Sequence, residues 1–275
     1  MAIKVRRPTT PAQRYYMVSD RSEITRDEPY RPLVEPLKKH AGRNNLGRLT
    51  VKCRGGGEKR HYRHIDFLRD KTDVAGKVVS IEYDPNRSAR IALVSYADGE
   101  YRYILHCEGL QVGDTVAAGR TLPVRPGNAM PLSDIPVGVE VHNVQILPGS
   151  RSFMVRSAGT AAQVLAKEDT WAVLRLPSGE VRRFDFRCMA TIGRISNAEH
   201  KDISIGKAGR MRHRGRRPRT RAVAMNPVDH PMGGGEGKSS GGRHPCSRRG
   251  IIAKGFKTRN RRKKSSRLIL QARRK

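Results

Sequence analysis

Asp229 and His230 are the adjacent residues best suited to chemistry in this chain, an acid that could orient an imidazole and an imidazole that could move a proton. Neighbours in sequence seldom aim at each other, and no serine in a nucleophile elbow accompanies them. His230 therefore reads as a hydrogen-bonding residue: it is the single candidate for catalysis, and no catalytic residue is assigned. Gly233 to Ser239 spells Gly-Gly-Gly-Glu-Gly-Lys-Ser, close to the phosphate loop of nucleotide hydrolases. That loop needs Gly-x-x-x-x-Gly-Lys-Ser/Thr between a strand and a helix. Here Met232 replaces the first glycine and neither element flanks the segment, so NTP is not an expected ligand. His244-x-Cys246 is one potential metal-binding pair, with Cys53, His61 and His64 far away in sequence, and a tetrahedral zinc site needs two more donors. No metal is expected. The four cysteines, Cys53, Cys107, Cys188 and Cys246, are too scattered for a disulfide framework and read as reduced thiols in a cytosol-like compartment.

The segment that holds these residues, Ala224 to Gly237, is more constrained than a tail. Pro227 and Pro231 restrict the backbone on both sides of Asp229-His230, and Gly233, Gly234 and Gly235 permit positive φ and close approach of another backbone. It reads as a loop moulded against a surface.

Charge is segregated along the chain. Residues 1–64 carry 16 Lys/Arg against 6 Asp/Glu, residues 65–200 carry 16 against 16, and residues 201–275 carry 24 against 3. The neutral middle can close on a core, whereas the ends repel themselves and call for a polyanion. Because the tail is rich in Arg, whose planar fork pairs bidentately with phosphate, that polyanion is expected to be nucleic acid. An aromatic content of 5% argues against stacking on successive single-stranded bases and for folded RNA read through backbone and shape. No apolar run approaches the roughly 20 residues that span a membrane, and residues 1–11 lack a signal-peptide core, so a soluble, non-secreted protein is expected.

The elements that must position these groups read as mainly β. Residues 1–60 form a basic, proline-punctuated extension, expected to be ordered only on a partner. From about residue 61 to 125, Val79, Ile81 and Tyr83 alternate, Asp84-Pro85-Asn86 turns into the Ile91–Tyr96 run, and Asp98-Gly99 turns into Tyr101 to Leu105. Such a meander suits a five-stranded barrel of about 65 residues. A second small barrel is expected over 126–200, with strands over Val137 to Leu147, Phe153 to Arg156, Gln163 to Ala166, Trp171 to Leu176 and Val181 to Phe186, and a short turn near Asn197 to His200. Arg87 and Arg156 project from turns of the two barrels. After Ile205 the apolar pattern stops, and residues 201–275 read as a basic, glycine-rich extension densest at 214–221 and 257–264.

Gly42-Arg43-Asn44-Asn45, Glu82 to Ala89, Arg156-Ser157-Ala158-Gly159-Thr160, Asn197-Ala198-Glu199-His200 and Ala224 to Gly237 resemble, in order and over nearly the whole chain, the bacterial-type ribosomal protein L-two family. The resemblance implies an oligonucleotide-binding (OB) barrel followed by an SH3-like barrel, with both extensions threaded into large-subunit ribosomal RNA. It implies a structural constituent and primary rRNA binder that supports the peptidyl transferase region and subunit association. RNA contacts are then expected from Arg87, Arg156, Arg43, Asn44, Asn45, Arg212, Arg214, Arg216, Arg217, Arg219, Asn226, Asp229, His230, Gly233, Gly234, Gly235, Lys238, Arg261, Arg262, Lys263 and Lys264. The alternative is direct acid–base participation of His230 in peptidyl transfer. Neighbouring ribosomal proteins and the small subunit are further expected partners, and the only ion expected nearby is magnesium carried by the RNA. The place implied is the ribosome of a cytoplasm or of an organelle. Most bacterial relatives have a second histidine where this chain has Met232 and a tryptophan where it has His213.

Overall fold

The computed structural model describes residues 3–151, 153–260 and 262–273. It divides into two compact units, one of Met1–Lys38, Lys59–Arg210 and Arg267–Lys275, the other of Lys39–Glu58 and Met211–Ser266.

In the first unit, β1 (Ile3–Val5) pairs antiparallel with β2 (Met17–Ser19), and β3 (Val34–Pro36) with β4 (His61–Arg63). The N-terminal region, read as an extended arm, thus contains two short strand pairs. The first barrel-like sheet runs β7-β6-β5-β8 and contains β5 (Gly76–Glu82), β6 (Ile91–Tyr96), β7 (Tyr101–Leu105) and β8 (Thr115–Val116). Parallel bridges from Ile65 to Tyr103 and from Thr72 to Ala118 extend it. Both faces of β6 are covered, as its uninterrupted apolar run requires. Ala92 and Val94 join Val78, Ile104, Leu110 and Val116 inside, while Ile91, Leu93 and Tyr103 pack against Tyr30, Leu33 and Ile65. Burying each of the larger aliphatics is worth about 2 kcal/mol.

The alternation of Val79, Ile81 and Tyr83 is broken. The β5–β6 register shifts between Val78 and Ser80, and this bulge leaves Val79 and Tyr83 exposed while Ile81 is buried. Beyond the bulge lies the buried carboxylate of Glu82. The Tyr103 hydroxyl donates to it at 2.6 Å and Ser80 at 3.0 Å, and the Tyr103 oxygen in turn accepts the Tyr30 backbone N–H at 2.7 Å. Burial, first, and the Glu82 bond raise the pKa of the Tyr103 phenol. A buried acid is tolerable here because both its oxygens are satisfied.

The second barrel is built from β9 (Ala129–Pro131), β10 (Glu140–His142), β11 (Val144–Gln145), β12 (Phe153–Met154), β13 (Ala162–Glu168), β14 (Trp171–Arg175), β15 (Val181–Asp185) and β16 (Met189–Ile192), joined by β17 (Ile269–Gln271) from the tail. Its main sheet has the order β17-β15-β14-β13-β10-β16-β9, and β11 pairs with β12. Leu132, Ile135, Val141, Val164, Leu174 and Phe184 form the core. The expected strand over Val137 to Leu147 is split, because Asn143 takes a left-handed conformation (φ 49°) and hands β11 to a different partner. Three strands of this sheet went unread in the sequence: β9 within the proline-rich stretch, β16 just after Phe186, and β17 beyond Ile205, where Ile269 registers with Arg182.

The barrels are stitched by backbone bonds. Cys107 bridges to Ile195, Glu108 N–H donates to Arg194 at 2.8 Å, Ser196 N–H to His106 at 3.1 Å, and Ala129 N–H to Ala117 at 3.0 Å. His142, on β10 and 1% exposed, donates from Nδ1 to the Gly193 carbonyl at 2.8 Å. Burial pushes its imidazole down to about 4 and also lowers that of His106.

The second unit contains few regular elements. Its two segments are laced by backbone bonds: Gly55 N–H to Gly215 at 2.7 Å, Arg217 N–H to Cys53 at 3.1 Å and Glu58 N–H to His213 at 2.9 Å, with an antiparallel bridge from Arg54 to Arg216. Glycine is required at position 57, whose φ is 65° and where a Cβ would lie 2.6 Å from the His213 carbonyl oxygen.

A base whose folded pKa lies below its unfolded value stays neutral when native, so the unfolded chain binds more protons between the two values and stability falls as pH drops through that interval. For His142 the window runs from about 6.5 down to about 4. Urea unfolding at pH 7.5 and pH 4.5 should show the wild type losing about 3 kcal/mol more than His142→Gln; equal losses would show that His142 is already charged in the native protein.

Candidate nucleic-acid interface

In the first unit, Arg87 and Arg156 meet on one aromatic ring. The guanidinium carbon of Arg87 lies 5.6 Å from the Phe67 ring centroid and that of Arg156 lies 4.6 Å away. Arg87 is held from behind. Its Nε donates to Asp84 at 2.6 Å, and Asp84, wholly buried, also accepts the Asn86 backbone N–H at 2.8 Å and faces Arg63 at 3.7 Å. Asn86 Nδ2 donates to the His61 carbonyl at 2.6 Å and Arg60 to the Pro85 carbonyl at 2.9 Å, which pins the Asp84-Pro85-Asn86 turn to the chain around β4. Arg87 is therefore a fixed group on a rigid turn, not a solvated arginine.

Arg156 follows Val155, a β-branched residue at φ 58°. That conformation is costly by about 1–3 kcal/mol and persists only where neighbours over-determine it. The neighbours are present: the Val155 carbonyl accepts the Asn143 N–H at 2.8 Å, and the Asn143 side chain donates to the Phe67 carbonyl at 2.9 Å. Ser88 joins the two arginine loops, its hydroxyl accepting the Ala158 N–H at 3.1 Å and its carbonyl accepting Asn197 Nδ2 at 2.7 Å. Asn197 is left-handed (φ 61°) and opens the turn Ala198–Asp202. Gly159 is pressed against that turn, and a Cβ there would meet the Ala198 Cα at 2.6 Å. Phe67, Ser88, Asn143 and Asn197 are the supporting residues that sequence reasoning missed as site members. Ser88 and Asn197 stood inside the family-like motifs, but Phe67 and Asn143 carried no signal in the sequence.

In the second unit, 22 Lys/Arg face 3 Asp/Glu, a net charge of +19. Among its described residues only His230 and Gly241 are buried, and Leu46, Val228, Ile251 and Phe256 are exposed. Arg43, Asn44 and Asn45 lie in a turn where Asn44 Oδ1 accepts the N–H groups of Leu46 and Arg48 at 3.1 and 2.9 Å. Arg212, Arg214, Arg216, Arg217 and Arg219 are exposed, the first four on the stretch paired with residues 53–58 and Arg219 just beyond it. His213 places Nδ1 3.0 Å from the Glu58 carboxylate.

Asn226, Asp229, His230, Gly233 and Gly234 come together in one closed loop. His230 and Asp229 N–H groups donate to the Asn226 carbonyl at 3.3 and 3.0 Å, Gly233 N–H to His230 at 2.8 Å and Gly234 N–H to Met225 at 2.9 Å. Gly233 permits this closure: a Cβ there would press on the Asn226 carbonyl oxygen and lie 2.5 Å from that of Met225. The Met232 N–H donates to His230 Nδ1 at 3.1 Å, so the neutral ring carries its proton on Nε2 and presents a donor, not a base. Among the described residues no hydrogen bond joins the Asp229 carboxylate to His230; the Asp229 carbonyl instead accepts from Arg248 at 3.0 Å. Gly235 (φ 94°) and exposed Lys238 follow in irregular backbone. Arg262, Lys263 and Lys264 are exposed where the turn Lys264–Leu268 begins, and Arg261 lies outside the described residues. His244 Nε2 lies 3.1 Å from the Lys254 carbonyl, and the described residues contain no group of three His, Cys, Asp or Glu able to hold a metal. Nor is any described helix long and apolar enough to cross a membrane.

Two family models match the chain. Residues 30–118 match the one described as Ribosomal Proteins L2, RNA binding N-terminal domain, and residues 125–250 match the one described as Ribosomal Proteins L2, C-terminal domain. Arg87 falls in the first match, and Arg156 and His230 in the second.

The closed loop can be tested directly. Gly233→Ala should break the Gly234-to-Met225 bond and speed amide exchange at Gly234 by about tenfold or more, the equivalent of roughly 1–3 kcal/mol of overpacking. An unchanged exchange rate would mean that the loop is not closed in solution.

Proposed function

The chain belongs to the ribosomal protein L2 family, whose two domain models together span most of it, and from that premise we propose that it binds large-subunit ribosomal RNA directly, as a primary binder. It is a protein of the large ribosomal subunit whose two β domains are an OB-fold and an SH3-like barrel. In the proposed division of labour those barrels, over about 61–125 and 126–200, set orientation. The extensions, 1–60 and 201–275, neutralise phosphates within folded RNA and so support the peptidyl transferase region and subunit association. Neighbouring ribosomal proteins and the small subunit complete the set of partners, and magnesium carried by the RNA is the only ion invoked.

The observation that carries this reading is the second unit. A net charge of +19 with only two of its described residues buried gives it, among those residues, no hydrophobic core to offset self-repulsion, so its stability must come from an anion, and its glycine-closed loop and backbone lacing give it a defined shape that a charge condenser would not need. Among its expected RNA contacts, Arg212, Arg214, Arg216 and Arg217 suit phosphate by their bidentate forks. The His230 geometry favours a structural role, since its acceptor nitrogen is taken by the Met232 N–H.

Making about ten phosphate contacts, the full chain should lose roughly three to five decades of affinity for a large-subunit rRNA transcript between 50 and 200 mM salt. Filter binding across that range, with bulk duplex DNA as competitor, checks both points. A flat salt response removes the electrostatic account, and equal affinity for the DNA removes the specific one.

A further inference from the structure

We propose that Phe67 is a positioning residue that joins Arg87 and Arg156, carried by two different barrels, into a single clamp for an RNA backbone phosphate. The inference deepens the RNA-binding reading and rests on it.

Three observations converge on this clamp. First, two guanidinium groups share one ring, at 5.6 and 4.6 Å from its centroid. Each cation is drawn to the same ring quadrupole, so one side chain supports both. Second, the counter-charge is lopsided: Asp84 holds Arg87, whereas among the described residues no carboxylate pairs with Arg156, which is exposed. The Arg156 charge is left uncompensated beside the shared ring, and the missing partner is an anion. Third, the arrangement is over-determined. Phe67 leans on Phe153, 7% exposed, with ring centroids 6.1 Å apart, and the Phe67 carbonyl is held by Asn143, the same residue whose N–H fixes Val155 in its unfavourable conformation. The backbone strain at Val155 is thus tied, through Asn143, to the backbone of the residue whose ring receives the next side chain, Arg156. A surface arginine with no ligand would need none of this.

Phosphate is the anion that two planar forks recognise best, each fork supplying paired N–H donors to non-bridging oxygens. With Phe67 present the two arginines are pre-set on one platform, so removal of either spoils the site for both. Without the ring each would act as an independent, flexible cation.

The test is a double-mutant cycle on the full chain, read as affinity for a large-subunit rRNA transcript at fixed salt. With Phe67 intact, Arg87→Gln and Arg156→Gln should each weaken binding about tenfold, and together hardly more than either alone. In the Phe67→Leu background each should cost about threefold or less, and the costs should multiply. Phe67→Trp, which keeps a ring, should retain binding to within about threefold of wild type. Additive costs with Phe67 intact, or coupling that survives Phe67→Leu, would overturn the clamp. If no arginine substitution changes affinity, the RNA-binding role of these turns fails instead, which is a different outcome from loss of coupling alone. Should Phe67→Leu fail to melt cooperatively, Phe67→Met takes its place, and the cycle with Phe67 intact still refutes the clamp if its costs are additive.

Discussion

Like-charge repulsion governs this molecule, and its two units differ in how they answer it. A chain of net charge +31 can close around a core only where acids are interleaved with its cations. Residues 65–200 supply sixteen, and the structure uses them individually: Asp84 against Arg63 and Arg87, Glu100 and Asp66 against Arg102, Glu168 against Arg183. The Arg183–Glu168 pair is exposed and worth little by itself, whereas Asp84 is buried. The collective effect of these acids is to let two small barrels exist. The second unit has three acids for twenty-two bases and only two of its described residues buried, so its order is backbone lacing, made possible by glycine.

The same contrast explains how each unit presents arginine. In the barrels a guanidinium is aimed by a buried carboxylate, an aromatic ring and a residue held in an unfavourable backbone region, all of which need a rigid scaffold behind them. In the second unit Arg212, Arg214, Arg216 and Arg217 are spread along paired backbone and exposed, which suits contact with a long polyanion whose phosphates repeat. One mode gives orientation and the other gives charge.

Much of this was legible in the sequence wherever the signal was local. Asp98-Gly99 turns β6 into β7, with Gly99 at φ 82°, and Pro177-Ser178-Gly179 turns β14 into β15, with Gly179 at φ 80°. The constrained loop around His230 also closes, with Gly233 against the Asn226 and Met225 carbonyls. What escaped was long-range or cost-bearing. A bulge between Val78 and Ser80 leaves no trace in composition, and a left-handed Asn143 inside an apolar run looks like strand. β9 hides among prolines because an edge strand tolerates them, and β17 is three residues recruited across the chain. The convergence of Arg87 and Arg156 could not be read either, because it depends on Phe67, which belongs to neither turn.

The lacing of residues 53–58 to residues 213–217 also sets a timetable for synthesis. During vectorial translation the first of these segments is made well over a hundred residues before its partner exists. The barrels can gather their cores from chain already made, while the cationic early segment waits unpaired. The nascent protein therefore spends most of its birth with that segment open to capture by whatever anionic scaffold is within reach.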